Sequence, residues 1–150
     1  MRDINKKVSE KNNIKNHFNF YAADREKWLQ KSKYFHSEDL LLFKDLIPPE
    51  SKVLEIGCGN GNLIGNLNIH KAIGIDISNK LIDCAKQKYS HCEFHYCPIE
   101  DIQSFFKKTE RFDFIIISDT IGYFKDVQKN LNLLHQFCSK DTRIIISYFS

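Results

Sequence analysis

VLEIGCGNG, residues 53–61, decides the fold. A short apolar run breaks into three glycines, Gly57, Gly59 and Gly61, and NLIGNL (62–67) follows as a weak helical pattern. Glycines belong where a strand turns sharply, because the turn takes φ values that other residues resist and a ligand approaches the backbone closely. Further runs follow at regular intervals: AIGIDI (72–77), CEFHYC (92–97), FDFIIIS (112–118) and RIIISYF (143–149). Between them lie helical patterns, SNKLIDCAKQKY (78–89), with Ser78 as N-cap, and DVQKNLNLLHQFC (126–138). Strands alternating with helices predict βαβ units and a parallel sheet. FIIIS and RIIIS are apolar at consecutive positions, as strands covered on both faces are. The fold class is α/β, an open doubly wound sheet, with its ligand site at the carboxyl ends of the strands.

Two acids sharpen the reading of the loop. The spacing is GxGxG, and Asn62 stands where a G-x-G-x-x-G dinucleotide fingerprint needs its third glycine. Glu55 precedes the first glycine by two residues; it would repel a pyrophosphate but not a cationic amino group or a sulfonium. Asp76 ends the second strand, 19 residues after Gly57, and suits a vicinal ribose diol. Each acid has a plainer alternative: Asp76 as a helix cap, Glu55 as a surface carboxylate.

Upstream, DREKWLQKSK (24–33) and EDLLLFKDLI (38–47) read as helices, the second stopped by Pro48-Pro49. The chain of 150 residues fits one domain of the usual size, roughly 100–150 residues. Residues 1–16 carry five Lys/Arg and two acids, whereas 17–150 carry 17 of each sign, so the net +3 belongs to a flexible, Asn- and Lys-rich tail. Clustered arginines interleaved with aromatics are absent, so no nucleic-acid partner is expected. No apolar run reaches about 18 residues and no signal-like h-region opens the chain. A cytoplasmic protein is expected. Five scattered cysteines read as reduced thiols. Of His91, Cys92, His95 and Cys97, a strand would bring only His95 and Cys97 to one ion, too few for a closed metal site, so no metal is assigned.

VLEIGCGNG followed by GIDIS resembles motifs one and two of class I S-adenosylmethionine-dependent methyltransferases, and FDFIIISDTIGY resembles the segment around their fourth strand. The match covers roughly residues 50–149. FYAADREKWLQKSKYFH (20–36), SDTIGYFKDVQ (118–128) and RIIISYF are also similar to bacterial methyltransferase domains that occur joined to, or beside, family 2 glycosyltransferases. The resemblance implies a Rossmann-like sheet of about five parallel strands in the order 3-2-1-4-5. It divides the chain into the tail (1–16), an N-terminal helical lid (17–49) and a cofactor-binding core (50–150).

Roles follow position by position. Glu55, Gly57, Cys58, Gly59 and the loop to Gly61 would line the methionine and ribose side of S-adenosylmethionine or its product S-adenosylhomocysteine. Asp76 would take the ribose hydroxyls and Ile77 would pack on adenine, with Ile99 and Glu100 flanking it. Pro98 stands where relatives often carry an Asp for the adenine amino group, which leaves that contact to the backbone. Ser118 and Asp119 would sit near the methionine moiety and the substrate mouth. Tyr21 and Tyr34 would close over the sulfonium or simply pack in the lid. Asp119 is the best-placed base, ahead of His36 and Tyr123, with orientation of the cofactor amino group as its other role. The Cys58 thiol reads as a small filler.

The implied function is methyl transfer to a small-molecule or glycan acceptor, with a glycosyltransferase domain as a possible neighbour. A cofactor-binding, catalytically incomplete module is the alternative, and a nicotinamide-dependent oxidoreductase a third. The sequence ends after the fifth strand, before the helix and β6/β7 hairpin of the family. Ile144, Ile145, Ile146, Tyr148 and Phe149 are therefore expected on an open edge, paired with another molecule (a homodimer through that edge) or poorly ordered.

Overall fold

Alternation of side chains along the strands builds two apolar layers on one sheet. The computed structural model describes residues 12–22, 24, 27, 31 and 33–148. After a helical segment at 12–22, the elements are α1 (Lys33–Leu46), β1 (Lys52–Ile56), β2 (Lys71–Asp76), α2 (Asn79–Lys88), β3 (Glu93–Tyr96), α3 (Ile102–Phe105), β4 (Phe112–Ser118), α4 (Val127–His135) and β5 (Cys138–Ser147). The strands are parallel throughout, in the order β3-β2-β1-β4-β5. The expected doubly wound topology is therefore present, with the reversal of order between β1 and β4.

Val53, Ala72, Phe94 and Ile116 face one way and meet Phe43 and Ile47 near α1 and Ile82, Ala85 and Tyr89 around α2. Leu54, Ile73, Ile75, Ile115 and Ile117 face the other way and meet Ile102 of α3, Leu134 of α4 and Phe137. Each such side chain contributes about 1.5–3 kcal/mol on full burial, so both layers are needed. Ser78 caps α2 as expected, accepting from the Leu81 amide at 3.2 Å, and Asp126 caps α4 by accepting from Lys129. Among the described residues no helix is long and apolar enough to cross a membrane, and no group of three metal-binding side chains occurs.

The structure differs from the sequence reading in four segments. Residues 12–16, assigned to the flexible tail, are helical; Ile14 and Phe18, four apart, face the cleft, and tertiary contact outweighs the weak helix propensity of an Asn-rich stretch. NLIGNL forms only a single 3-10 turn, Ile64–Asn66. The crossover after β3 contains a 3-10 turn, Ile99–Asp101, running into α3, where no element was expected. β5 begins five residues early, because Thr142 donates to the Phe112 carbonyl and accepts from the Ser139 amide, holding an irregular segment onto β4. The helix expected over 24–33 and the first 11 residues fall largely outside the described residues. β5 pairs with β4 as the sheet's edge, and Ile144 and Ile146 are 39% and 45% exposed there.

Gly61 is a sensitive position in this packing. Its φ is +75°, and an added Cβ would lie 2.6 Å from Phe94 Cζ. Gly61→Ala should therefore lower the unfolding free energy by about 2–4 kcal/mol in a urea titration. Adding Phe94→Leu, which removes the clashing atom, should return part of that loss; no recovery would mean that the clash is not the cause.

Candidate functional site

The loop after β1 is folded by its own amides. Gly57 and Cys58 both donate to the Ile75 carbonyl, at 2.8 and 3.0 Å, and Gly61 donates to the Cys58 carbonyl at 2.9 Å. Gly59 donates to Asp76 Oδ2 at 2.9 Å, while Asp76 Oδ1 accepts from the Ser78 amide at 2.7 Å. Gly57, Gly59 and Gly61 have φ of +72°, +56° and +75°, the left-handed region that the glycine spacing predicted. At Gly57 the space is also taken: a Cβ would lie 2.3 Å from Thr120 Oγ1, so the loops after β1 and β4 touch directly.

Glu55 is 3% exposed, not a surface carboxylate. Its Oε2 accepts from the Ile64 amide at 3.2 Å, tying the far end of the loop back to β1. Four of the five amides from 57 to 61 are thus committed inside the protein. A phosphate-binding loop needs those donors free and a helix N-terminus behind them; here a 3-10 turn follows instead.

A cavity of about 240 Å³ opens at the strand ends. Gly57, Gly59, Asp76, Ile77, Ile99, Glu100, Ser118 and Asp119 line it, as the sequence reading expected. Ile77, Leu81, Pro98 and Ile99 make an apolar wall, with the Asp76 carboxylate in the same lining. A narrower slot of about 60 Å³ is lined by Glu55, Cys58, Asn60 and, from α1, Asp39 and Leu40. Cavity and slot share Gly57, His36, Ser118 and Asp119. Asp119 adopts φ +50° and its amide donates to the Ser147 carbonyl at 3.1 Å; Asp tolerates this left-handed turn better than most residues.

Three residues expected at the site line neither space. Gly61 lines neither space, because it backs onto Phe94 and Ala85. Tyr21 is 48% exposed, with its ring 4.8 Å from His17, and Tyr34 is 79% exposed; neither lines the cleft. The roof is made instead by Ile14 and Phe18 from the 12–22 helix. Contacts to α2, β3 and the segment after β4 anchor that helix. Ser78 donates to Asn19 Oδ1 at 2.6 Å, Lys15 Nζ lies 4.6 Å over the Tyr96 ring, and Phe18 meets Tyr123 edge-on at 5.1 Å. The four-residue spacing of Ile14 and Phe18 was the available signal for the roof; Asp39 had none, being one acid among several on α1. Cys58 reaches the slot, yet its Sγ packs against Gly74. Burial, and then the charges of Glu55 and Asp76, push this thiol well above its ordinary value.

The family model for a methyltransferase domain matches residues 47–150. Among solved structures, a methyltransferase from Thermotoga maritima dependent on S-adenosylmethionine, described as a possible histamine N-methyltransferase, is similar with a TM-score of 0.75 and 23% identity, over 88% of this chain and 60% of that one. A TehB-like enzyme from Corynebacterium glutamicum gives a TM-score of 0.63 and 23% identity over 83% and 72% of the two chains. The plantazolicin methyltransferase BpumL, in complex with S-adenosylhomocysteine, gives 0.61 and 23% over 95% and 61%. The chain therefore spans 60% of the length of the first of these structures. No protein of curated function matches the sequence.

The thiols offer a check on the loop. At pH 8 a maleimide should modify exposed Cys84 first and buried Cys58 much more slowly, because burial both shields the Cys58 sulfur and raises its pKa. Peptide mapping that finds the two labelled at equal rates would contradict the packing described.

Proposed function

The chain belongs to the methyltransferase-domain family, and from this premise we propose that its cleft binds S-adenosylmethionine and that the domain methylates a small-molecule or glycan acceptor. The observation that carries this reading is the loop itself. Its amides are committed internally, and the adjoining slot is lined by Glu55 and Asp39, which suits a cation and not a diphosphate.

The residues present fit the group. Asp76, held at the end of β2 by its bonds from the Gly59 and Ser78 amides, brings a carboxylate to the cavity lining, where it suits a ribose diol. Ile77, Pro98 and Ile99 supply an apolar surface for a purine, and the backbone after Cys97 can meet its edge. Glu55, Asp39 and Asn60 suit the charged amino-acid end. When bound, the cofactor supplies an already activated methyl group, so the protein's work is alignment and a dry pocket. Ile14 and Phe18 exclude water from above; Ser118 and Asp119 stand at the mouth, where Asp119 orients the cofactor amino group or accepts the acceptor's proton.

Calorimetry with S-adenosylhomocysteine and with NAD tests the reading: the first should bind and the second should not. Asp76→Ala should weaken S-adenosylhomocysteine by about 1–3 kcal/mol. Because Asp76 also holds Gly59 and Ser78, the 2′-deoxy analogue is the control; wild type should discriminate against it and the variant should not. Unchanged affinity on losing Asp76 would remove the ribose assignment. Phe18→Ala, which opens the roof, should speed S-adenosylhomocysteine release about fivefold, as expected for loss of part of one aromatic contact.

A further inference from the structure

We infer that His36 is the charge-sensitive residue of this cleft, admitting a sulfonium when neutral and disfavouring it when protonated, while leaving a neutral thioether unaffected. The inference rests on the proposed cofactor site. Its basis is the way the two spaces join. The nucleoside-shaped cavity and the acid-lined slot have four wall residues in common: Gly57, His36, Ser118 and Asp119. A ligand with a nucleoside at one end and an amino acid at the other must pass its linking atom along that shared wall. In S-adenosylmethionine that atom is the positively charged sulfur.

The four residues differ in how they answer pH. Glycine and serine carry no charge there, and a carboxyl group ordinarily titrates near pH 4. An imidazole is the side chain whose charge ordinarily changes between pH 5 and 8. His36 is half-buried on α1, one turn before Asp39. The other titratable groups lining the slot are Asp39 on the same helix, Glu55, Cys58 and Asp119, and those lining the cavity are Asp76, Cys97, Glu100, Asp119, Tyr123 and Lys125. Replacing the imidazole by a neutral side chain therefore separates its charge from that of every other group in the lining. Two positive charges a few ångströms apart in a partly buried cleft repel by enough to change an equilibrium tenfold or more. The demethylated product has no sulfonium and feels no such repulsion. Protonated His36 thus lowers the affinity for the donor relative to the product, whereas the neutral imidazole leaves that ratio as the rest of the cleft sets it.

The test measures affinities of S-adenosylmethionine and S-adenosylhomocysteine by calorimetry at pH 5.5, 6.5 and 7.5, on the full chain, as wild type and as His36→Gln. The ratio of donor to product affinity should fall about tenfold from pH 7.5 to 5.5 in the wild type and stay within about twofold in the variant. His36→Asn, a second neutral replacement, should behave as the Gln variant does. The ligands' own amino groups titrate identically in all three proteins, so the difference between proteins isolates the imidazole. A flat ratio in the wild type overturns the inference without any variant, as does an equal slope in His36→Gln or His36→Asn. If S-adenosylhomocysteine fails to bind at every pH, the cofactor site itself fails, a distinct result from binding with a pH-independent ratio.

Discussion

Two buried carboxylates hold the glycine loop in shape. Asp76 reaches across from the end of β2 to the Gly59 amide, and Glu55 reaches forward from β1 to the Ile64 amide. Amides to carboxylates are charge-assisted and among the stronger hydrogen bonds a fold makes. Both acids sit on strands whose register is set by the β1–β2 ladder, Glu55 opposite Gly74. The ladder therefore fixes the acids, the acids fix the loop, and the loop walls the cleft. The same bonds withdraw the amides that a diphosphate would require. The loop shape and its ligand preference share one cause.

The cleft's position follows from topology. β2 and β3 lie to one side of β1, and β4 and β5 lie to the other, so the loops after β1 and β4 diverge in opposite directions and leave a crevice. Thr120 touches Gly57 across it. The apolar wall comes from the β3 side, through Pro98 and Ile99. The shared wall of Ser118 and Asp119 comes from the β4 side. Residues from the ends of β1, β2, β3 and β4 thus line one space, and no single segment contains the site.

Helical segments complete it from above. The 12–22 segment crosses the mouth on a few contacts, to Ser78, Tyr96 and Tyr123, most of them near the surface. Contacts of that kind open at low free energy, which suits a roof that must admit and release a nucleoside. α1 approaches from the opposite side and brings His36 and Asp39 to the slot. The 12–22 segment lines the larger cavity, and α1 lines the slot and, through His36, the cavity as well.

Local patterns determined a good deal. Runs of consecutive apolar residues marked the strands; FDFIIIS is buried on both faces as that pattern implies, whereas RIIIS forms the edge strand β5 and leaves Ile144 and Ile146 exposed. FDFIIIS matched β4 residue for residue. Three glycines, Glu55 and Asp76 marked the loop, because left-handed turns and strand-end acids are local requirements that a sequence must state. Tertiary structure alone decided that Gly61 serves packing, that Tyr21 and Tyr34 line neither space, that the apolar pair Ile14 and Phe18 lies over the cleft, and that Asp39 reaches the slot. The reason is physical. Those residues owe their roles to how helices lie over the sheet, and helix placement depends on side-chain packing between segments dozens of residues apart, which no spacing within a single segment records.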